Sequence, residues 1–275
     1  MRRNKLLERA WPFTATLKPL QRRAWRPAVP CATLSPMCGR LVSHRPPEAM
    51  RVVFDITGPL PEYAPNWNVA PTHEMMVVRR YPGTGERRLD LLRWGLVPAW
   101  TTDLKAARKP MNARSETAGG SGMFKAALAT RRCIVPVDAF YEWRTDPDGK
   151  QPFAVARKDG APLALAGLWE GWRSPEGEVV RTFCILTCPS NATVRHLHER
   201  MSVILEPPAW ATWLGEDVAA AHALLRPAGT DVLKFWPVSR AVNSVRNNGP
   251  ALLEAVADPG VPPLPGDARS GCNAA

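Results

Sequence analysis

A chain of 275 residues with 45% apolar residues and a net charge of +11 has enough material for a real core and lacks the composition of a disordered protein. No apolar run approaches the roughly 18 residues of a membrane helix, the longest being about nine in "APLALAGLW". Six cysteines without regular spacing do not make a disulfide framework, which points to free thiols in a reducing compartment and a soluble, non-secreted protein.

Residues 1–36 hold eight Lys/Arg against the single Glu8, a net +7 that leaves only +4 for the rest of the chain. The segment is Pro-punctuated and has neither an apolar run nor a cleavage site of a secretory signal. A transit peptide fits loosely. A start of translation at Met37 fits better, because "MCGRLV" opens the first stretch with fold-like patterning. From there short apolar runs alternate with Pro and Gly: "RLVSH", "EMMVVRRY", "LDLLRWGLVPAW", "RCIVPVDAFYEW", "PFAVARKDG", "LALAGLWEGW", "RTFCILTC" and "MSVILEP". They are strand-length and rich in β-branched and aromatic residues, with hairpin-type breaks at "DPDGK" and "SPEGE". Helices are expected in "GMFKAALAT", in "SNATVRHLHER" with Ser190 as cap, in "PPAWATWL" and in "EDVAAAHALL". The expected class is α+β: one domain over residues 37–257 with a twisted antiparallel, partly barrel-like sheet flanked by short helices. Residues 258–275, rich in Pro and Gly, read as a disordered tail.

Cys38 carries the chemistry if the chain starts at Met37, since Cys is small enough for the initiator Met to be removed. The product is a 1,2-aminothiol. Its α-amine, with a reference pKa of about 7.7–8.0, is partly neutral near pH 7 and can attack an aldehyde. The neighbouring thiol can then close on the imine carbon to form a thiazolidine ring. The alternative is that Cys38 is a core thiol in a first strand.

"MCGR", "NVAPT" (68–72), "RWGLVPAW" (93–100), "MNARSET" (111–117), "RRCIVPVDAFYEW" (131–143), "HLHERM" (196–201) and "WPVSRAVNSVRNNG" (236–249) follow one another in this order. Together they resemble the motifs of the SRAP family, the abasic-site processing proteins also called SOS response associated peptidases. The resemblance covers about residues 37–257. It implies an SRAP-like fold and a monomeric protein of the cytoplasm and nucleoid that binds single-stranded DNA at an abasic site. It also implies capture of the ring-opened sugar aldehyde through the N-terminal Cys as a thiazolidine crosslink, with lyase and reversal activity. On these motifs Cys38, Asn112, Glu142 and His198 take the catalytic positions. Arg40, Arg114 and Arg200 take those of DNA-contacting arginines, with Asn68 of "NVAP" beside them.

The chemistry asks for groups of these kinds. Imine formation must lose water from a carbinolamine, a task for a carboxylic acid such as Glu142, and burial near Cys38 is expected to raise its pKa. His198 can donate to the departing sugar oxygen, and Asn112 can hold the opened sugar. Without the resemblance, Glu142 reads as an edge-strand residue facing water and His198 as an exposed helix end. Bases are expected to stack on aromatics, each worth roughly 1–3 kcal/mol. The "WGLVPAW" loop, which resembles the family's wedge, supplies Trp94, Gly95, Pro98 and Trp100, and Trp67 and Trp143 are further candidates. Trp169, Trp210 and Trp213 read as core. No second ligand pair accompanies His196-x-His198 or Cys184-x3-Cys188, so neither metal nor cofactor is expected. Ser202 stands where the family has proline. Two other readings stay open: a thiol peptidase able to cleave before its own Cys38, and a non-catalytic single-strand binder if residues 1–36 stay attached.

Overall fold

The computed structural model describes residues 39–81, 83–147, 149–215 and 217–258. The expectations for residues 1–36, for Cys38 and for the tail past Asp258 lie outside them. The chain enters β1 (Arg40–Ser43) and then α1 (Pro47–Phe54), a helix absent from the expected set. Its buried Pro47, Met50 and Phe54 recur at helical spacing, and Pro47 sits in the first turn, where its missing N–H costs nothing. Strands β2 (Asn66–Val69), β3 (Glu74–Arg80), β4 (Arg87–Trp94) and β5 (Asn112–Arg114) precede α2 (Ser115–Ala118) and α3 (Lys125–Thr130). Then come β6 (Arg132–Val137), β7 (Ala139–Asp146), β8 (Gly149–Arg157), β9 (Leu163–Arg173), β10 (Val179–Pro189) and β11 (Arg200–Ser202). Helices α4 (Trp210–Leu214) and α5 (Val218–Ala223) and strand β12 (Leu233–Pro237) complete the order.

Five of these strands close on themselves. β10 pairs with β4, β4 with β3, β3 with β6, β6 with β9, and β9 again with β10. Closure leaves no free edge on this small barrel. β10 outruns it and carries β5 on one side and β11 on the other, so that Thr187 faces both Arg114 and Ser202. The other strands form an antiparallel sheet in the order β12-β8-β7-β1-β2. The class is thus α+β with a barrel-like sheet. The expected antiparallel pairing holds except where β4 and β5 run parallel to β10, and one sheet becomes two.

The run "RCIVPVDAFYEW" shows how two sheets share a chain. Asp138 interrupts it, accepting from the backbone N–H groups of His44 (2.7 Å) and Arg45 (3.2 Å). Residues before the break join the barrel, and residues after it join the open sheet. Alternation then gives that sheet two apolar faces. Leu41, Phe140, Phe153 and Val155 pack with the barrel in the main core. Val42, Tyr141 and Ala154 lie on the opposite face under Val238, Val242 and Leu252. Trp210 and Trp213 are core, whereas Trp169 is half-buried beneath the Arg79 guanidinium, 4.2 Å from its ring centroid. "SNATVRHLHER" forms consecutive turns instead of a helix. Its cap is Asn191, which accepts from Val194 N–H at 3.1 Å, while Ser190 Oγ donates to His198 O at 2.7 Å. Residues 39–258 belong to one compact unit, and no helix among them is long and apolar enough to cross a membrane.

Candidate functional site

The register Arg40↔Tyr141 and Leu41↔Phe140, continued by one residue, turns Gly39 toward Glu142. Side chains alternate along β7, so Glu142 shares the barrel-facing side with Phe140, while Trp143 shares the outer side with Tyr141. Glu142 is only 2% exposed. A carboxyl there is held away from water beside the Gly39 end of β1.

The outer side of the same edge is a hydrogen-bonded lock. Arg40 Nη1 donates to Asn68 Oδ1 (2.8 Å) and Val242 O (2.7 Å), and Nη2 to Asn243 O (3.1 Å). Asn68, 1% exposed, donates its amide to Val242 O (3.2 Å), Ser244 O (2.9 Å) and Asn247 O (3.0 Å). Trp143 Nε1 donates to Asn243 Oδ1 at 2.8 Å, and Asn248 Oδ1 accepts from Trp67 N–H at 2.8 Å. The string "SRAVNSVRNNG" therefore serves as the seat for β1, β2 and β7. Arg40 and Asn68, expected at a DNA surface, spend their polar atoms inside this lock. His73 belongs to the same corner: burial, then the charge of Arg40, hold its pKa below the ordinary imidazole value.

A second set surrounds the far end of β10. β5 presents Asn112, half-buried, and Arg114, exposed. Arg200, which opens β11, holds Glu116 with both nitrogens (2.8 and 2.9 Å) and Thr187 O with Nη2 (2.7 Å). Its backbone N–H donates to His198 Nδ1 at 3.1 Å, which places the imidazole proton on Nε2. Burial pushes the pKa of His198 down, and the cations Arg200 and Lys150 press the same way. With Nδ1 accepting, the imidazole is a donor at Nε2. The Lys150 influence links β8 of the open sheet to this set.

The "WGLVPAW" string splits its aromatics. Trp94 is fully buried, with Nε1 donating to Met111 O at 2.9 Å, so its ring has no face to offer a base. Gly95 has φ 122°, and a Cβ there would lie 3.3 Å from Lys109 O, which fits glycine at a turn leaving the barrel. Leu96, Val97 and Pro98 are buried, Val97 N–H bonding Thr182 Oγ1 at 2.9 Å. Thr101 is fastened by Trp172 Nε1 at 2.6 Å. Between these anchors Trp100 stands 66% exposed, the one ring of this string offered to a partner. No cluster of His, Cys, Asp and Glu suited to a metal exists among the described residues. Cys133, Cys184 and Cys188 are buried free thiols, burial pushing the pKa of Cys188 up to about 11. Sequence reasoning gave no role to Glu116, Thr187, Asn243 or His73. Glu116 and Asn243 stood in quoted motifs, "MNARSET" and "WPVSRAVNSVRNNG", and Thr187 in the strand run "RTFCILTC", without a role attached.

Residues 37–245 match the family model SRAP, described as SOS response associated peptidase. Over 225 residues the chain is 38% identical to the abasic site processing protein YoqW of Bacillus subtilis, covering 80% of this chain and 100% of that one. It is 31% identical over 234 residues to the abasic site processing protein YedK of Escherichia coli, again covering 80% and 100%. An X-ray structure of a protein from Bordetella bronchiseptica matches with a TM-score of 0.64 at 30% identity, over 74% of this chain and 100% of that one. Another, from Bacteroides thetaiotaomicron, shares the fold with a TM-score of 0.72 at 20% identity, over 80% and 100%.

Proposed function

Because the chain belongs to the SRAP family, we propose that it processes abasic sites in single-stranded DNA by covalent capture through Cys38. The α-amine of Cys38 adds to C1′ of the ring-opened sugar, and the carbinolamine loses water to leave an imine. The thiol then adds across the C=N bond, its proton passing to nitrogen, and the thiazolidine closes with the DNA strand intact. Glu142 hands a proton to the departing hydroxyl and takes one back from the amine, general acid–base work worth roughly 10²–10⁴-fold in rate. From the imine, a C2′ proton passes to water and the C3′–O bond breaks with the 3′ phosphate as leaving group, which is the β-elimination branch, and His198 donates from Nε2 to the sugar oxygen. Asn112 holds the opened sugar, Arg114 meets phosphate, and Trp100 receives a base.

The observation that carries this reading is Glu142: a carboxyl 2% exposed, on the barrel-facing side of β7, opposite the Gly39 end of β1. Polar groups so deeply buried cost stability unless they are satisfied, and sites of chemistry are where such groups concentrate. Cys38 is bonded directly to Gly39. A free amine at Cys38 is the condition for capture.

The test compares protein translated from Met1 with protein translated from Met37, each incubated with an oligonucleotide bearing an abasic site and read by denaturing gel and intact mass. The Met37 protein, once its Met is removed, gives the adduct. Cys38→Ala abolishes it, and Glu142→Gln slows it about 100-fold while leaving DNA affinity unchanged. Absence of an adduct from a free Cys38 terminus overturns the reading. Cleavage of the Met1 protein before Cys38, lost in Cys38→Ala, marks thiol peptidase chemistry instead.

A further inference from the structure

Glu116 and Arg200 lie 84 residues apart and meet across β10. β5 passes straight into α2, so the segment that presents Asn112 and Arg114 also carries Glu116. β11 borders the opposite edge of β10, and Thr187 between them faces both Arg114 and Ser202. The paired contacts at 2.8 and 2.9 Å form a two-pronged Arg–carboxylate pair, the geometry that fixes orientation as well as distance. Arg200 adds Thr187 O at 2.7 Å and Thr187 Oγ1 at 3.2 Å, and its own side chain is largely buried. Its backbone N–H is the donor that meets His198 Nδ1. The carboxylate thus reaches the imidazole through one intermediate residue.

We propose that Glu116 is a positioning residue: by stapling Arg200 across β10 it fixes His198 with its proton on Nε2 and holds the β5 and β11 sides of the site together. This rests on the abasic-site reading for its effect on capture, but not for its effect on His198. Arg200 acts in it as a bracket, and Arg114, exposed at the end of β5, is a cation turned to phosphate.

The experiment uses the protein begun at Met37, as wild type, Glu116→Ala and Glu116→Gln. In the DNA-free protein, nitrogen NMR of His198 reads the tautomer. Wild type shows the Nε2–H form; Glu116→Ala shows a mixture, and Glu116→Gln, which keeps one acceptor, falls between. With abasic oligonucleotide, the adduct forms roughly tenfold more slowly in Glu116→Ala, as expected when a reacting group is slightly misplaced. The slope of log affinity on log salt stays at the wild-type value. An unchanged tautomer and rate in Glu116→Ala overturn the proposal. Tighter DNA binding with a slope steeper by about 0.7 also overturns it, because Arg200 would then be a phosphate ligand that Glu116 only screens. A wild type that gives no adduct defeats the functional reading alone, since the tautomer reports on Glu116 without DNA.

Discussion

The two sides of the site are built from opposite materials. Around Asn68 the chain is held by one buried amide and a guanidinium aimed at main-chain carbonyls. Around Thr187 it is held by an ion pair, Glu116 with Arg200, half open to water, and by an imidazole. A lock without an ion pair keeps most of its strength as salt and pH change, whereas a half-open ion pair is partly screened by salt and contributes little stability. The lock carries the fold of the edge; the charged side sets the alignment and protonation of the groups that meet a ligand.

The largest effect expected from this contrast is in Asn68→Ala, which takes one donor from each of three carbonyls and one acceptor from the Arg40 guanidinium. Chemical denaturation should show a loss of about 3 kcal/mol, nearly the same at low and high salt. A loss below about 1 kcal/mol would break the contrast, since the 240–249 segment would then hold the edge without the amide. Next comes the salt dependence of binding to single-stranded DNA: Arg114→Ala should reduce its slope by about 0.7, and Arg40→Ala should leave it unchanged. Equal changes would return Arg40 to the DNA surface.

The smallest effect is on stability against pH. The pKa of His198 is depressed in the fold, so its contribution is full above the unfolded value of about 6.5 and is lost as pH falls below it. His73, depressed by burial and Arg40, acts in the same sense on the other side. Unfolding measured from pH 7.5 to 5 should therefore show a decline that shrinks in His198→Asn and in His73→Asn and disappears in the double variant. Glu116, held below its ordinary pKa by Arg200, adds a further loss only below about pH 4.3. A decline that persists in the double variant would place its source elsewhere.

Long strands were legible in the sequence because apolar alternation and Pro/Gly breaks mark them directly. β2, β5 and β12 were not, being three to five residues long and defined by the partner they lie against. The turn at Asn191 reads as a helix because Ser190, Val194 and Leu197 have helical spacing, and it begins as one, Asn191 capping Val194 N–H and accepting from Arg195 N–H; Ser190 then draws the chain back, its N–H meeting Glu199 O and its hydroxyl His198 O, so that the turns end where β11 begins. In the site, motif strings found the right segments without saying which way each side chain turns. Trp94 and Trp100 occupy one string, and only the positive φ of Gly95 and the anchors at Val97 and Thr101 decide that the first is core and the second exposed. Glu116 stood in a quoted motif, but its partner is 84 residues away, a distance that no local pattern can reveal.

Closure of the barrel on β10 also orders events during synthesis. β4 finds its second neighbour only when Thr182 and Phe183 have been made, and β5 waits for Ile185 to Thr187. Until then the nascent chain carries the unpaired edge of β4 beside its exposed apolar rows, the state in which slow, long-range pairing invites aggregation. Arg93 of β4 lies on the stretch that later meets Thr182, where a charge discourages one chain from pairing with another.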